Sequence, residues 1–185
     1  MKILALELST ARGSLAWGNG ELVEQEWPND RKNSGPFFQF LKSAVVAHGS
    51  PETIVIGLGP GSYAGVRIAL STAMGLQAAS QARMVGLPSI CAMPCEERSY
   101  AVIGDARRQS FFLGRIENRA LLSEPELLSE TELRTKLSGL GTWPVFSSDE
   151  LPQFAGVRRL FPSAARLARL AAEPNCRFAL PPLQP

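Results

Sequence analysis

The residues of this chain whose types and spacing suit chemistry are two acids at strand ends and one glycine-rich turn. Glu7 lies near the end of the apolar run KILALEL at Lys2–Leu8, with Ser9 and Thr10 in the turn behind it. Asp105 follows the apolar run YAVIG at Tyr100–Gly104. Ligands of open α/β sheets gather at the carboxyl ends of strands. Two carboxylates facing across a cleft suit magnesium bound to the phosphates of a nucleotide. The bland counterpart is an acid in a solvated turn, and the basic equipment of a triphosphate site is not evident nearby. The turn GLGPGSYAGVR, Gly57–Arg67, fails both nucleotide fingerprints. No lysine stands where a Walker loop needs one, and the third glycine of a dinucleotide turn falls on Ser62 or Ala64. A nest of backbone N–H groups at a helix start can still hold an anion. A tight strand-to-helix turn without a ligand is the stronger reading.

Other chemistries are poorly equipped. His48 is the one histidine, and Cys91, Cys95 and Cys176 are scattered, so no metal set of close pairs forms. A Ser/His/Asp or Cys/His relay would have to recruit His48 from the end of an apolar helix. No catalytic residue is assigned. Arg107-Arg108, Arg158-Arg159, Arg166 and Arg169 could touch RNA phosphates but read better as an interspersed solvated face. A net charge of +2, from 19 basic and 17 acidic residues, offers nucleic acid no general attraction. An odd number of cysteines fits a reducing compartment. Glu7 interrupts the first apolar run too early for a signal peptide. The uncharged stretch Ile68–Ala82 is too short and too polar for a membrane span. The expectation is a cytoplasmic protein.

The elements that must position these residues follow from pattern. At 185 residues the chain is long enough for one domain or two small lobes. Lys2–Leu8 reads as a strand buried on both faces. Ser14–Gly18 and Glu21–Trp27 read as a hairpin about Asn19-Gly20. Ser34 and Pro36 start a helix carried by Phe37–His48 and stopped by Gly49. Thr53–Leu58 is a strand, and Val66–Ser80 a second helix. A meander followed by strand and helix in alternation predicts an α/β sheet with parallel neighbours. The pattern then partly restarts with Tyr100–Gly104, a basic turn, Ser110–Ile116 and a second turn at Glu117-Asn118. A charged helix at Glu130–Leu137, a strand at Pro144–Ser147 and a helix at Ser163–Ala172 complete it. Both halves read as strand, acid, turn, strand, turn, strand, which suggests a duplicated domain. The expected lobes are 1–88, carrying the glycine turn, and 89–185, smaller and abridged.

Two helices are unusual in lacking a charged side. In the second, Ile68, Thr72, Gly75 and Ala79 fall along one face, and no charged residue lies opposite. In the first, Lys42 is the only firm charge between Phe37 and His48. Ordinary surface helices carry one apolar stripe and a charged face, so these two predict a shared apolar surface for another protein. A well-covered core is the alternative. The expected interface residues are Phe37, Phe38, Leu41, Val45, Ile68, Thr72, Gly75 and Ala79.

The segment Gly59-Pro60-Gly61-Ser62-Tyr63-Ala64-Gly65-Val66-Arg67 resembles the hallmark of the TsaB (YeaZ) family, a strand followed by G-P-G-S-F/Y-T-G-V/L-R and a small-residue helix. Ala64 replaces the family threonine; Gly59, Pro60, Gly61, Ser62, Gly65 and Arg67 match. The opening LALELSTARGSLAW is similar to the family's L-A-I-D-T-A/S start, with Glu7 for aspartate. RKNSGPFFQFL at Arg31–Leu41 is similar to its R-x-H-S-x-x-L-L-P segment, with Asn33 for histidine. VIGDAR at Val102–Arg107 resembles its strand ending in D-A-R. The terminal LPPLQP looks like the lead into a further family segment of the type P-x-Y-L-R.

The resemblance implies a duplicated fold of the actin/Hsp70/sugar-kinase type (ribonuclease H-like). It also implies a non-catalytic subunit that pairs with a TsaD-type catalytic subunit. With a TsaE-type ATPase, the pair installs a threonylcarbamoyl group on the tRNA adenosine beside the anticodon. It places the partner contact on the two helices flanking the glycine strand, and ATP or ADP at the joint interface if anywhere. A self-associating module, homodimeric when the chain is alone, is a further reading of the same apolar surface, with a monomer its counterpart. Glu7, Ser9, Thr10 and Asp105 are the candidates for residual nucleotide binding. The competing expectation is an ATP-dependent phosphotransferase of the same fold using Glu7 and Asp105 around magnesium. A peptidase role finds no nucleophile or metal constellation.

Overall fold

The computed structural model describes residues 1–29 and 34–173. Arg31, Asn33, Cys176 and the terminal LPPLQP lie outside the described residues. Contacts divide the chain into two compact units, 1–92 with 162–173 and 93–161.

In the first unit β1 (Ile3–Glu7), β2 (Arg12–Asn19) and β3 (Glu21–Pro28) form an antiparallel meander. Gly20, at φ 97°, supplies the left-handed residue of the β2–β3 hairpin. α1 (Gly35–His48) leads into β4 (Thr53–Gly57), and α2 (Tyr63–Ser80) into β5 (Arg83–Leu87). Both strands run parallel to β1, giving the sheet order β3-β2-β1-β4-β5. A short 3-10 turn, Ser89–Ala92, closes the segment.

Every residue of β1 and β4 is buried, as their nearly continuous apolar runs require for a sheet covered on both faces. Leu4, Leu6 and Leu8 share one core with Trp27, Phe37 and Leu41, and with Ala69 and Ala73 of α2. α4 (Ala164–Ala172) packs against β1, β2 and β4. Its start is pinned from the sheet. Ala164 N–H donates to the Ser14 hydroxyl at 2.8 Å, and Ala165 N–H to Glu24 at 3.0 Å. The Ser163 hydroxyl donates to the same Glu24 carboxylate at 2.9 Å. Ser14 pairs with Glu7 and Glu24 with Ala16 in register, so α4 covers the face opposite to Leu4 and Leu6.

This return of the chain is why the expected boundary at 88/89 differs from the observed units. The apolar face of α4, Leu167, Ala168 and Leu170, is buried in the first unit's packing rather than the second's. A short amphipathic helix at the end of a sequence does not announce which sheet it will cover.

The second unit repeats the connectivity. β6 (Ser99–Arg107), β7 (Ser110–Glu117) and β8 (Ala120–Leu121) form a meander, β9 (Glu126–Ser129) pairs with β7, and α3 (Glu130–Ser138) follows. β10 (Val145–Ser147) joins β6 in parallel, and β11 (Arg158–Arg159) joins β10. The path β11-β10-β6-β7-β8 mirrors that of the first sheet. α3 begins with a capping box, Ser129 with Glu132. Its Leu133 is buried with Ala101, Ile103, Phe111, Leu113 and Phe154. At the tip of the β6–β7 hairpin, Arg107, Arg108 and Gln109 hold φ of 73°, 51° and 62°. Each such non-glycine residue costs roughly 1–2 kcal/mol.

Candidate functional site

The glycine turn is a packing device. A Cβ on Gly61 would stand 2.1 Å from the Ser9 carbonyl oxygen, and one on Gly65 1.9 Å from that of Leu8. The bare glycines therefore let the β1–β2 turn lie directly on the start of α2. Gly59-Pro60 is cis. Four backbone donors in and just after the turn are used within the chain. Ser62 N–H donates to the Ser9 carbonyl at 2.6 Å and Val66 N–H to the Ser62 carbonyl at 3.0 Å. Gly59 N–H donates to the Ser89 hydroxyl at 2.9 Å, and Gly65 N–H to the Ser62 hydroxyl at 3.3 Å. Because Ser62 caps in this way, α2 starts at Tyr63 rather than at the predicted Val66.

Glu7 lies beneath this turn, fully buried. Its Oε1 accepts from Ser9 N–H at 2.7 Å and from the Ser9 hydroxyl at 2.5 Å. Its Oε2 has no hydrogen-bond partner among the described residues. A Cβ on Gly57 would stand 1.8 Å from that Oε2 and 2.6 Å from Ser89 Oγ, so only glycine fits beside the carboxyl. Burial pushes the Glu7 carboxyl above its ordinary value, against the opposing influence of the Ser89 and Ser9 hydroxyls and the Ser9 N–H. Favouring the neutral form suits a hydrogen-bonding brace and opposes cation binding.

The other nucleotide candidates are arranged differently. The Thr10 hydroxyl donates to the Arg12 carbonyl at 2.9 Å, closing its own turn. Asp105 is exposed in the second unit, where its Oδ1 accepts from Arg107 N–H at 2.7 Å. Glu7, Ser9 and Thr10 in the first unit thus bond within their own turn, and Asp105 in the second bonds within the β6–β7 tip. Among the described residues no group of histidine, cysteine, aspartate and glutamate is placed to hold a metal. His48 stacks on Trp17 at 5.6 Å, and Cys91 and Cys95 are buried.

The two helices divide into core and outward faces. Phe37 is 1% exposed and packs against Trp27 at 6.1 Å, and Leu41 is buried in the same core. These two expected interface residues are core residues, because the twisted edge of the sheet at Trp27 claims that face of α1. Val45, Ile68 and Thr72 are half-buried, and Phe38, Gly75 and Ala79 are exposed.

α2 turns Gly65, Ala69 and Ala73 to the sheet and turns Tyr63, Ala64, Arg67, Ser71, Met74, Gly75 and Ala78 to solvent. Tyr63 is 76% and Met74 50% exposed, and the Arg67 guanidinium lies 5.4 Å from the Tyr63 ring centre. Arg67 is the single charge on this face. Tyr63 and Met74 were missing from the expected interface although they lie eleven positions apart, three helical turns on one stripe. The signal was the small-residue ladder Gly65-Ala69-Ala73, which marks the buried side and so fixes the outward one. Gly75 is the odd member, since a Cβ there would meet nothing within 4 Å.

Residues 36–125 match the TsaD family, tRNA N6-adenosine threonylcarbamoyltransferase. No curated protein sequence matches the chain. Among solved structures the chain is similar to YeaZ from Pseudomonas aeruginosa, with a TM-score of 0.75 and 19% identity, covering 92% of this chain and 91% of that one. It is also similar to an uncharacterized protein related to peptidase YEAZ from the same organism. There the TM-score is 0.74 at 19% identity, covering 92% of this chain and 89% of that one. The chain has the YeaZ (TsaB) fold, the duplicated mixed α/β architecture expected from its half-chain repeat.

Proposed function

We propose that this chain is a TsaB-type subunit that supports, without performing, threonylcarbamoylation of the tRNA adenosine next to the anticodon. It does so by offering the outward face of α2, with Phe38 of α1, to a TsaD-type catalytic subunit. A TsaE-type ATPase and the tRNA join through that assembly, and any ATP or ADP sits at the shared interface.

The observation that carries this reading is Gly75. Glycine inside an exposed helix costs about 0.5–1 kcal/mol relative to alanine, and no described residue comes close enough to require it. Its absent side chain suits a second backbone lying close against α2. The neighbouring Ala78, Ala79, Met74 and Tyr63 supply apolar area around it, the composition of an interface core. The sealed setting of Glu7, where burial favours the protonated form, speaks against an ATP-dependent phosphotransferase built on that carboxylate.

The test is co-purification of a tagged chain with its endogenous TsaD-type protein. Gly75→Arg and Ala79→Glu should each abolish capture while leaving the circular dichroism of the chain unchanged. Undiminished capture by both variants would refute the assignment of this face. A stable homodimer of the pure chain, lost in the same variants, would show that the face also satisfies itself.

A further inference from the structure

From the β6–β7 hairpin tip we infer that Arg107 and Arg108 are an RNA-backbone contact, presented by a braced turn; the identity of the RNA rests on the tRNA reading above. The tip holds three successive non-glycine residues in the left-handed region, Arg107, Arg108 and Gln109, all exposed. Residues with a longer side chain rarely adopt this conformation, and a turn of this kind is ordinarily made with asparagine and glycine. The chain uses Gly20 for positive φ at the tight hairpin of its other sheet and the pair Asn118-Arg119 at the β7–β8 turn, so the run of three is what sets the β6–β7 tip apart. Persistent strain at an exposed tip calls for a role that the strained side chains perform.

Two acids lock the shape. Asp105 Oδ1 accepts from Arg107 N–H at 2.7 Å across the bulge, and Asp149 Oδ2 accepts from Asp105 N–H at 2.9 Å. These bonds go to backbone N–H groups, and neither guanidinium is engaged by them. Elsewhere in this unit Arg115, Arg134, Arg158 and Arg159 are each ion-paired, with Glu126, Glu130, Glu97 and Glu150. Arg107 and Arg108 have no ion pair among the described residues. Two adjacent fixed cations on a protruding turn match phosphates along a strand, which arginine and backbone geometry recognise without regard to sequence.

The experiment measures binding of an unmodified tRNA transcript to the full chain in complex with its catalytic partner, by fluorescence anisotropy across salt concentrations. In the Arg107→Gln/Arg108→Gln variant the slope of log K against log salt should fall in magnitude by about 1.4 to 1.8, the loss of two phosphate contacts. Arg107→Lys/Arg108→Lys should restore it, since charge rather than shape sets the slope. Arg158→Gln, removing a paired arginine, should leave it unchanged. An unchanged slope in the glutamine pair, with the complex still assembled, overturns the hairpin contact and leaves the subunit reading standing. If the wild-type chain captures no TsaD-type protein, the subunit reading fails instead. The same slope comparison on the chain alone then decides the hairpin.

Discussion

Alanine placed at two glycines of one helix should move stability in opposite directions. At Gly65 the new Cβ would stand 1.9 Å from the Leu8 carbonyl oxygen and 2.9 Å from its carbon. Both are backbone atoms of the strand end, so no side chain can swing away. The start of α2 must retreat by roughly 1.5 Å to restore ordinary contact. Such overpacking costs about 3 kcal/mol, and alanine's helix preference returns about 1 kcal/mol, leaving a net loss near 2 kcal/mol. At Gly75 a Cβ meets nothing within 4 Å, so only the helix preference remains, a gain of about 0.5–1 kcal/mol. For a chain of this length each kcal/mol is about 2–4 °C in melting temperature. Gly65→Ala should therefore melt about 4–8 °C below wild type, and Gly75→Ala about 1–4 °C above it. Thermal melts followed by circular dichroism read both. Titration against the catalytic partner adds the decisive comparison. Gly75→Ala, though more stable alone, should bind about tenfold more weakly, a loss of about 1.4 kcal/mol from a close backbone approach. Should Gly65→Ala melt at or above wild type, the crowding of β1 on α2 is not what demands glycine there. Should Gly75→Ala bind its partner as well as wild type, the close approach is wrong.

Two further outcomes follow from buried Glu7 and half-buried Glu24. Because the native state holds the Glu7 proton to a higher pH than the unfolded chain does, it binds more protons between those two values. Stability from this group is thus full below its ordinary value of 4.5 and falls as pH rises toward the folded value, at up to about 1.4 kcal/mol per pH unit. Glu7→Gln should remove that fall, matching wild type at pH 4 and exceeding it at pH 8 in urea denaturation; parallel pH profiles would show that the carboxyl is not held neutral. Glu24→Ala takes away the acceptor of Ser163 Oγ and Ala165 N–H at the start of α4. It should cost about 1–2 kcal/mol and raise hydrogen exchange in α4 more than in α3.

The first sheet could be read from sequence because its signals are local. Nearly continuous apolar runs marked β1 and β4, Asn19-Gly20 marked the hairpin, and Ser34 with Pro36 marked α1. The weaker second sheet was only partly visible. β9, with Leu127 exposed and Leu128 half-buried, and β11, made of two exposed arginines, depend on neighbours supplied by tertiary pairing. For the candidate site, the chargeless character of α2 showed that the helix has an uncharged outward face, but the apolar stripe chosen lay at the flank of that face. Phe37 and Leu41 went astray for another reason. Their type fits core and interface equally, and only the position of Trp27 on the adjoining strand decides between them. Glu7 carried the least signal, because its burial is produced by Gly57, Ser9 and Ser89 arriving from separate segments.

The same short turn can serve opposite ends depending on what fills the space above it. A helix start with glycines before it attracts anions when its N–H groups face open solvent or a cleft. Here the β1–β2 turn occupies that space, with the Ser9 carbonyl taking the Ser62 donor and Ser89 Oγ taking that of Gly59. An acid at the end of β1 could then persist only by giving up its charge or its burial, and the sealed position against Gly57 favours the first. The remaining anomaly of the first unit is on the outward side of α2, where a glycine lowers helix stability and no described residue comes within 4 Å of where its Cβ would stand. One face of α2 is crowded by backbone at Gly65 while the other leaves Gly75 bare, and the proposed partner contact is what would use that second glycine.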